Sequence, residues 1–185
     1  SFIFSLGYMH EHVEAWLLQQ YPLLSYQLSI EEEPLGTGGA IQFACKKATQ
    51  ANVLVLNGDT LFSIDALELS AFHHQHQSPC TLTLKPMHNF ERYGVVEINN
   101  VGLIQSFKEK QFYESGLING GVYALHIASL LKLNLPDKFS FEKDYLEKYY
   151  VIQKMRGLVQ DVYFIDIGIP EDLERAGREF IVHSS

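Results

Sequence analysis

A chain of 185 residues, 46% hydrophobic and 12% aromatic, can bury a core large enough to offset its own ordering entropy, which excludes a disordered segment and favours one domain over 1–185. Its formal net charge of −8 excludes a nucleic-acid-coating surface, which needs clustered Lys and Arg, but allows a nucleotide pocket with local positive charge. No apolar run reaches the roughly 20 residues of a membrane span and no basic leader with a cleavage site opens the chain, so a cytoplasmic protein with no membrane partner is expected.

Phe2-Ile3-Phe4-Ser5-Leu6 is an apolar run too short for a helix and reads as a strand. Because the first residues already lie inside a buried-strand pattern, something is expected to precede them in the native product. Gly7-Tyr8 leads to a helix with Val13, Trp16 and Leu17 on one face, and Tyr26, Leu28 and Ile30 alternate with polar residues as a half-buried strand. Glu31, Glu32 and Glu33 read as its solvated end. A glycine-bearing loop, Pro34-Leu35-Gly36-Thr37-Gly38-Gly39, then leads into a helix through Ile41, Ala44, Cys45 and Ala48.

Asn52-Val53-Leu54-Val55-Leu56 is a near-continuous β-rich run, the pattern of a central strand covered on both faces. A helix is expected over 64–77, strands over 80–85, 93–98, 103–107 and 122–125, a helix over 141–150, a strand over 159–165, and a last helix from about Glu171. Alternating strands and helices favour an α/β layered domain. Cys45 and Cys80 fall in a helix and a strand, where a lone thiol acts as a small hydrophobe.

Ligands of open α/β sheets bind outside the carboxyl ends of strands, and Asp59, after Asn57-Gly58, sits at such an end. Two readings stand: a hard oxygen ligand for Mg²⁺ beside a small Gly58, or a tight turn closed by an Asx hydrogen bond. Asp166 repeats the arrangement after Tyr163-Phe164-Ile165, and its alternative is a helix N-cap, although Pro170 and Glu171 place the helix start later. Mg²⁺ takes one or two protein carboxylates and leaves its other positions to water and phosphate, so the pair suits phosphoryl transfer.

The glycines 36–39 either let backbone N–H groups approach a ligand or form a structural turn; they are not a Walker loop, because Lys and Ser or Thr do not follow in that spacing. Glu109-Lys110 reads on its own as a solvated surface pair. Asn119-Gly120-Gly121 either presents an amide to ligand hydroxyls or turns a hairpin. His73, His74 and His76 lie at the polar end of a helix with no further Cys or His at ligand spacing, which argues against a zinc site.

Taken in order, Glu33-Pro34-Leu35-Gly36-Thr37-Gly38-Gly39-Ala40, Leu56-Asn57-Gly58-Asp59, Arg92-Tyr93-Gly94-Val95-Val96, Lys108-Glu109-Lys110, Ile118-Asn119-Gly120-Gly121-Val122-Tyr123 and Asp166-Ile167-Gly168-Ile169-Pro170-Glu171-Asp172 resemble the sugar-1-phosphate nucleotidyltransferase family over nearly the whole chain. The phrases Leu117-Ile118-Asn119-Gly120-Gly121, Phe139-Ser140-Phe141-Glu142 and Phe164-Ile165-Asp166-Ile167-Gly168 are most similar to its heptose 1-phosphate guanylyltransferase branch.

The resemblance implies a Rossmann-like, three-layer α/β/α domain with a mixed, mostly parallel central sheet. It implies an enzyme that joins a nucleoside monophosphate from an NTP, GTP by the branch, to a heptose- or mannose-type sugar 1-phosphate and releases pyrophosphate. Asp59 and Asp166 would hold Mg²⁺, with Gly58 beside it. Gly36, Thr37 and Gly38 would lie against the nucleoside and Gly94 would offer backbone contacts to the sugar. Glu109 would accept from sugar hydroxyls, Lys110 would meet the sugar phosphate in a catalytic role, and Asn119 and Glu142 would contact the sugar. Homodimers are common in the family.

The family opens with a strand, a Gly-rich loop carrying an Arg and a Lys-Pro segment that bind the triphosphate, and this chain has none of them. The resemblance therefore implies a domain lacking its first β-loop-α segment, with sheet edges left uncovered and little or no turnover alone. A non-catalytic nucleotide- or sugar-binding module derived from the family is the alternative.

Overall fold

The structure, a computed structural model, describes residues 1–182, with side chains described through 179. In chain order its elements are β1 (Phe2–Leu6), α1 (His10–Gln20), β2 (Tyr26–Ile30), α2 (Gly36–Cys45), β3 (Asn52–Leu56), β4 (Thr60–Phe62), α3 (Ala66–His76), β5 (Cys80–Phe90) and β6 (Val95–Ile98). Then follow β7 (Ile104–Lys108), β8 (Tyr113–His126), α4 (Ile127–Leu131), a π-helical turn (Phe141–Leu146), α5 (Glu147–Gln153), β9 (Arg156–Val159), β10 (Phe164–Asp166) and α6 (Pro170–Val182). By its internal contacts the chain divides into two compact units, Ser1–Val53 with His126–Tyr149, and Leu54–Leu125 with the chain from Tyr150 onward.

In the first unit β1 and β2 pair in parallel from Phe2↔Tyr26 to Leu6↔Ile30, with α1 as the crossover. The Phe4 ring meets Tyr26 edge-on at 5.7 Å. Of the expected helical face only Leu17 is buried; Trp16 stays half exposed and packs on Tyr21 at 5.4 Å. The glycine stretch is not a loop before a helix, as its composition suggested, but the first turn of α2 itself. The helix expected over 141–150 forms as the π-helical turn continued by α5. Ser140 and Asp144 cap its start reciprocally: the Ser140 hydroxyl accepts from the Lys143 N–H at 3.2 Å, and the Asp144 carboxylate accepts from the Ser140 N–H at 2.9 Å.

The second unit is built on a mixed sheet of order β3-β8-β5-β9, in which β5 pairs antiparallel with β8 and parallel with β9. Cys80, Leu82 and Leu84 of β5 and Val122, Tyr123, Ala124 and Leu125 of β8 are buried, a near-continuous run because both strands lie inside the sheet. β3 departs from expectation: it ends the sheet order, and Leu54 and Leu56 stay 43% and 66% exposed rather than covered on both faces. β4 pairs antiparallel with β10, and β6 with β7.

Phe164 packs against two apolar clusters of this unit, one around Phe62, Leu69, Val122 and Ala124 and one around Phe90, Val95 and Ile118. Burying each large side chain contributes roughly 1.5–3 kcal/mol. The strand expected over 159–165 is broken into β9 and β10 at Gln160, whose N–H continues to Leu84 O while its amide turns to the α3 N-terminus. There the Gln160 carbonyl accepts from the Asp65 N–H at 2.8 Å, and Asp65 caps the helix by accepting from Leu67 and Glu68 N–H. His73, in the last turn of α3, is buried with its Nδ1 3.0 Å from Thr81 Oγ1. Both cysteines are free and buried. Among the described residues no helix is long and apolar enough to cross a membrane.

Candidate active site

Antiparallel pairing of β4 with β10 puts Thr60 opposite Asp166, and the Ile167 N–H donates to Asp59 O at 2.9 Å. The two strand ends singled out in the sequence are therefore neighbours through the backbone. Asp59 is exposed, and among the described residues its carboxylate has no hydrogen-bond or ion-pair partner. Gly58 is also exposed, with nothing within 4 Å of where a Cβ would sit.

Asp166 is held firmly. Its Oδ1 accepts from the Gly168 N–H at 2.8 Å and its Oδ2 from the Tyr93 hydroxyl at 3.0 Å. A Cβ at Gly168 would lie 2.9 Å from Asp166 Oδ1, so a glycine there keeps the turn tight against the carboxylate. The Arg92 guanidinium stands 3.8 Å from Asp166 Oδ2 and is bound through its other nitrogen to Asp172. The hydrogen bond to Asp172 raises the Arg92 pKa further. Burial first, then the bond to Asp166, push the Tyr93 phenol up to about 12, which keeps it a donor.

The same unit brings in the remaining candidates on its strands. Gly94 lies where a Cβ would come within 2.3 Å of Lys108 O, and its neighbour Val95 pairs with Lys108. Gly94 and the exposed Glu109 and Lys110 that follow β7 are thus side by side. The Glu109 carbonyl accepts from the Tyr113 hydroxyl at 3.0 Å. Asn119-Gly120-Gly121 lies within β8 rather than in a hairpin turn. Asn119 Oδ1 accepts from the Gly121 N–H at 3.1 Å and Nδ2 donates to the Tyr123 hydroxyl at 2.9 Å, which fixes the side chain. Gly121, at φ +73°, lets β8 pass close to Asn57 and Thr60, and its carbonyl accepts from the Asn57 N–H at 3.0 Å. The Thr60 hydroxyl is buried there without a hydrogen-bond partner among the described residues.

In the first unit the α2 start is closed by the chain at 139–141. The Phe139 carbonyl accepts from the Gly38 and Gly39 N–H groups at 3.0 and 3.3 Å, and Thr37 Oγ1 accepts from the Phe141 N–H at 3.0 Å. A Cβ at Gly38 would fall 2.2 Å from the Phe139 ring, and one at Gly36 2.7 Å from its carbonyl. Beside this helix is a cavity of about 460 Å³ lined by residues that include Glu31, Glu33, Leu35, Gln42, Phe43 and Lys46. Glu142 is exposed on the π-helical turn of this unit.

The nucleotidyl transferase family model matches residues 6–181. The chain belongs to the nucleotidyl transferase family. Among its relatives in that family, the D-glycero-alpha-D-manno-heptose 1-phosphate guanylyltransferase of Aneurinibacillus thermoaerophilus is 47% identical over 177 residues, 96% of this chain and 76% of the relative. The enzyme of the same name from Campylobacter jejuni is 41% identical, over 92% of this chain and 74% of its own. The crystal structure of HddC from Yersinia pseudotuberculosis complexed with GMP-PN superposes with a TM-score of 0.83 at 34% identity, covering 96% of this chain and 77% of that one.

Nucleotidyltransferases of this family generally use a divalent metal. The residues fit one. A carboxylate offers about four lone-pair positions, so Asp166, with one bond on each oxygen from the backbone and Tyr93, has acceptor capacity left, and Asp59 is unengaged. No group of three or more His, Cys, Asp or Glu side chains at metal-binding distance occurs among the described residues; a pair of carboxylates suits a cation that keeps water and phosphate ligands. Sequence reasoning assigned no part to Tyr93, Arg92 or Gly168. The first two precede Gly94 directly, and the third follows Asp166 at Asx-turn spacing, which was the available signal.

Proposed function

We propose that the protein to which this chain belongs catalyses transfer of GMP from GTP to a heptose 1-phosphate, with mannose 1-phosphate as the competing acceptor, giving a GDP-sugar and pyrophosphate. The observation that carries this reading is the convergence of Asp59 and Asp166 in a chain 47% identical to a heptose 1-phosphate guanylyltransferase. An oxygen of the sugar phosphate attacks the α-phosphorus. A P–O bond forms, the bond to the bridging oxygen breaks, and pyrophosphate leaves with the bonding pair. Such a reaction depends chiefly on alignment and on neutralising charge.

Asp59 and Asp166 are the residues that would hold Mg²⁺, with Gly58 leaving the approach to Asp59 open. Bound there, the cation supplies positive charge for the phosphate oxygens. On the second unit, Lys110 takes the sugar phosphate, Glu109 accepts from sugar hydroxyls, Gly94 offers its backbone, and Asn119 presents its fixed amide to the sugar. On the first unit, Gly36, Thr37 and Gly38 lie against the nucleoside. The engagement of the Gly38 and Gly39 N–H groups by Phe139 supports contact through van der Waals approach rather than through those donors.

The test is pyrophosphate release by the protein, with any residues its gene encodes outside 1–185, from GTP, ATP, UTP or dTTP paired with heptose, mannose or glucose 1-phosphate. GTP with the heptose is expected to be fastest. Release with no pair would overturn the reading in favour of a non-catalytic binding module, which calorimetry with a GDP-sugar would then detect.

A further inference from the structure

The Asp166 carboxylate is surrounded by groups that neither the family match nor the motif reading assigns. Tyr93 is locked: its ring meets Phe164 edge-on at 6.1 Å, and the Arg92 guanidinium lies 5.5 Å from the ring centroid. Its hydroxyl is delivered to Oδ2 by a ring packed against the cluster of Phe90, Val95 and Ile118, so the bond orients the carboxylate. Arg92 approaches the same oxygen from a tether, held by Asp172, which Arg175 also contacts at 3.2 Å.

We propose that Tyr93 and Arg92 set the cation affinity of this site in opposite senses, Tyr93 positioning the Asp166 carboxylate and Arg92 competing with the metal ion for it. The proposal rests on Asp166 being a metal ligand. A neutral donor on Oδ2 fixes the side-chain rotamer and leaves lone pairs for a cation, whereas a guanidinium beside that oxygen places positive charge next to the ion's position. Asp172 controls the second effect, because the ion pair it forms with Arg92 limits how far the guanidinium can move onto Asp166.

Direct Mn²⁺ titration of the chain, reading free Mn²⁺ by electron paramagnetic resonance, tests this without turnover. Tyr93→Phe is expected to weaken binding about tenfold, the usual effect of removing a group that orients a metal ligand. Arg92→Gln is expected to tighten it about threefold, on the scale of a half-exposed ion pair. Asp172→Asn, which leaves Tyr93 in place, should weaken binding, and should lose most of that effect in the Arg92→Gln background.

A loosened fold would move every variant the same way, so opposite shifts for Tyr93→Phe and Arg92→Gln support the proposal. Shifts of one sign, or none, overturn it, and should Tyr93→Phe fail to fold, the Arg92 and Asp172 cycle decides. Asp166→Asn separates the two levels. If it binds Mn²⁺ like the native chain, the metal-ligand reading fails and the proposal with it; if it loses binding while Tyr93→Phe and Arg92→Gln do not shift it, only the proposal fails.

Discussion

In the first unit Gly36 and Gly38 make room for the chain, whereas in the second Gly58 leaves a carboxylate accessible. Gly36 and Gly38 sit where side chains would collide with Phe139, and the helix-start N–H groups beside them are already spent on its carbonyl. Gly58 has open space around it, next to an Asp59 carboxylate that no described residue engages. Glycine beside a polar residue thus marks close packing in one place and an open approach in the other. What decides at Gly36 and Gly38 is the residue opposite, Phe139, which comes from far along the chain.

The sharpest way to break this contrast is to remove the charges. Asp59→Asn and Asp166→Asn are expected to lower turnover at least about a hundredfold each, the scale of losing a group that stabilises transition-state charge, while the far-ultraviolet circular dichroism stays native. Retained turnover in either would mean that the open carboxylate is not functional. Next in size is the steric half of the comparison. Gly38→Ala should cost about 1–3 kcal/mol in urea unfolding because its new Cβ meets the Phe139 ring, whereas Gly58→Ala should stay within about 0.5 kcal/mol. Equal costs would erase the distinction.

The smallest effect is a pH dependence. Burial pushes the Cys45 thiol up from 9.0 to about 11, so the unfolded chain loses this proton first. The corresponding stability is fully present below pH 9 and declines as pH rises toward 11, which urea midpoints at pH 8.5, 10 and 11 would register; the fall should be smaller in Cys45→Ala.

Much of the fold is legible where a signal is local. The period-two run 26–30 and the apolar run 52–56 formed strands with the expected bounds, and the two strand-end aspartates stood out because Asn-Gly-Asp and Asp-Ile-Gly follow β-rich runs. The errors arose where a distant partner overrides the local pattern. The glycines 36–39 look like a loop until Phe139 supplies acceptors for the first helical turn. Gly120 and Gly121 leave a hairpin open as one of two readings until the shifted β5 register and the approach to Asn57 hold them in β8. The run 159–165 looks like one strand until Gln160 reaches α3. Tyr93 belongs to the same class, since its bond to Asp166 spans 73 residues and its place before Gly94 says nothing of that partner.

The interleaving of the two units has a consequence for synthesis. Each is made of two stretches separated by part of the other, and the bond from Phe141 to Thr37 joins positions 104 residues apart. On a ribosome adding about 5–20 residues per second, β1, β2 and α2 must therefore wait several seconds for the segment that closes the α2 start. During that interval Gly38 has no Phe139 to pack against, and the nascent N-terminal strands depend on whatever shelters them until the second half of their unit emerges.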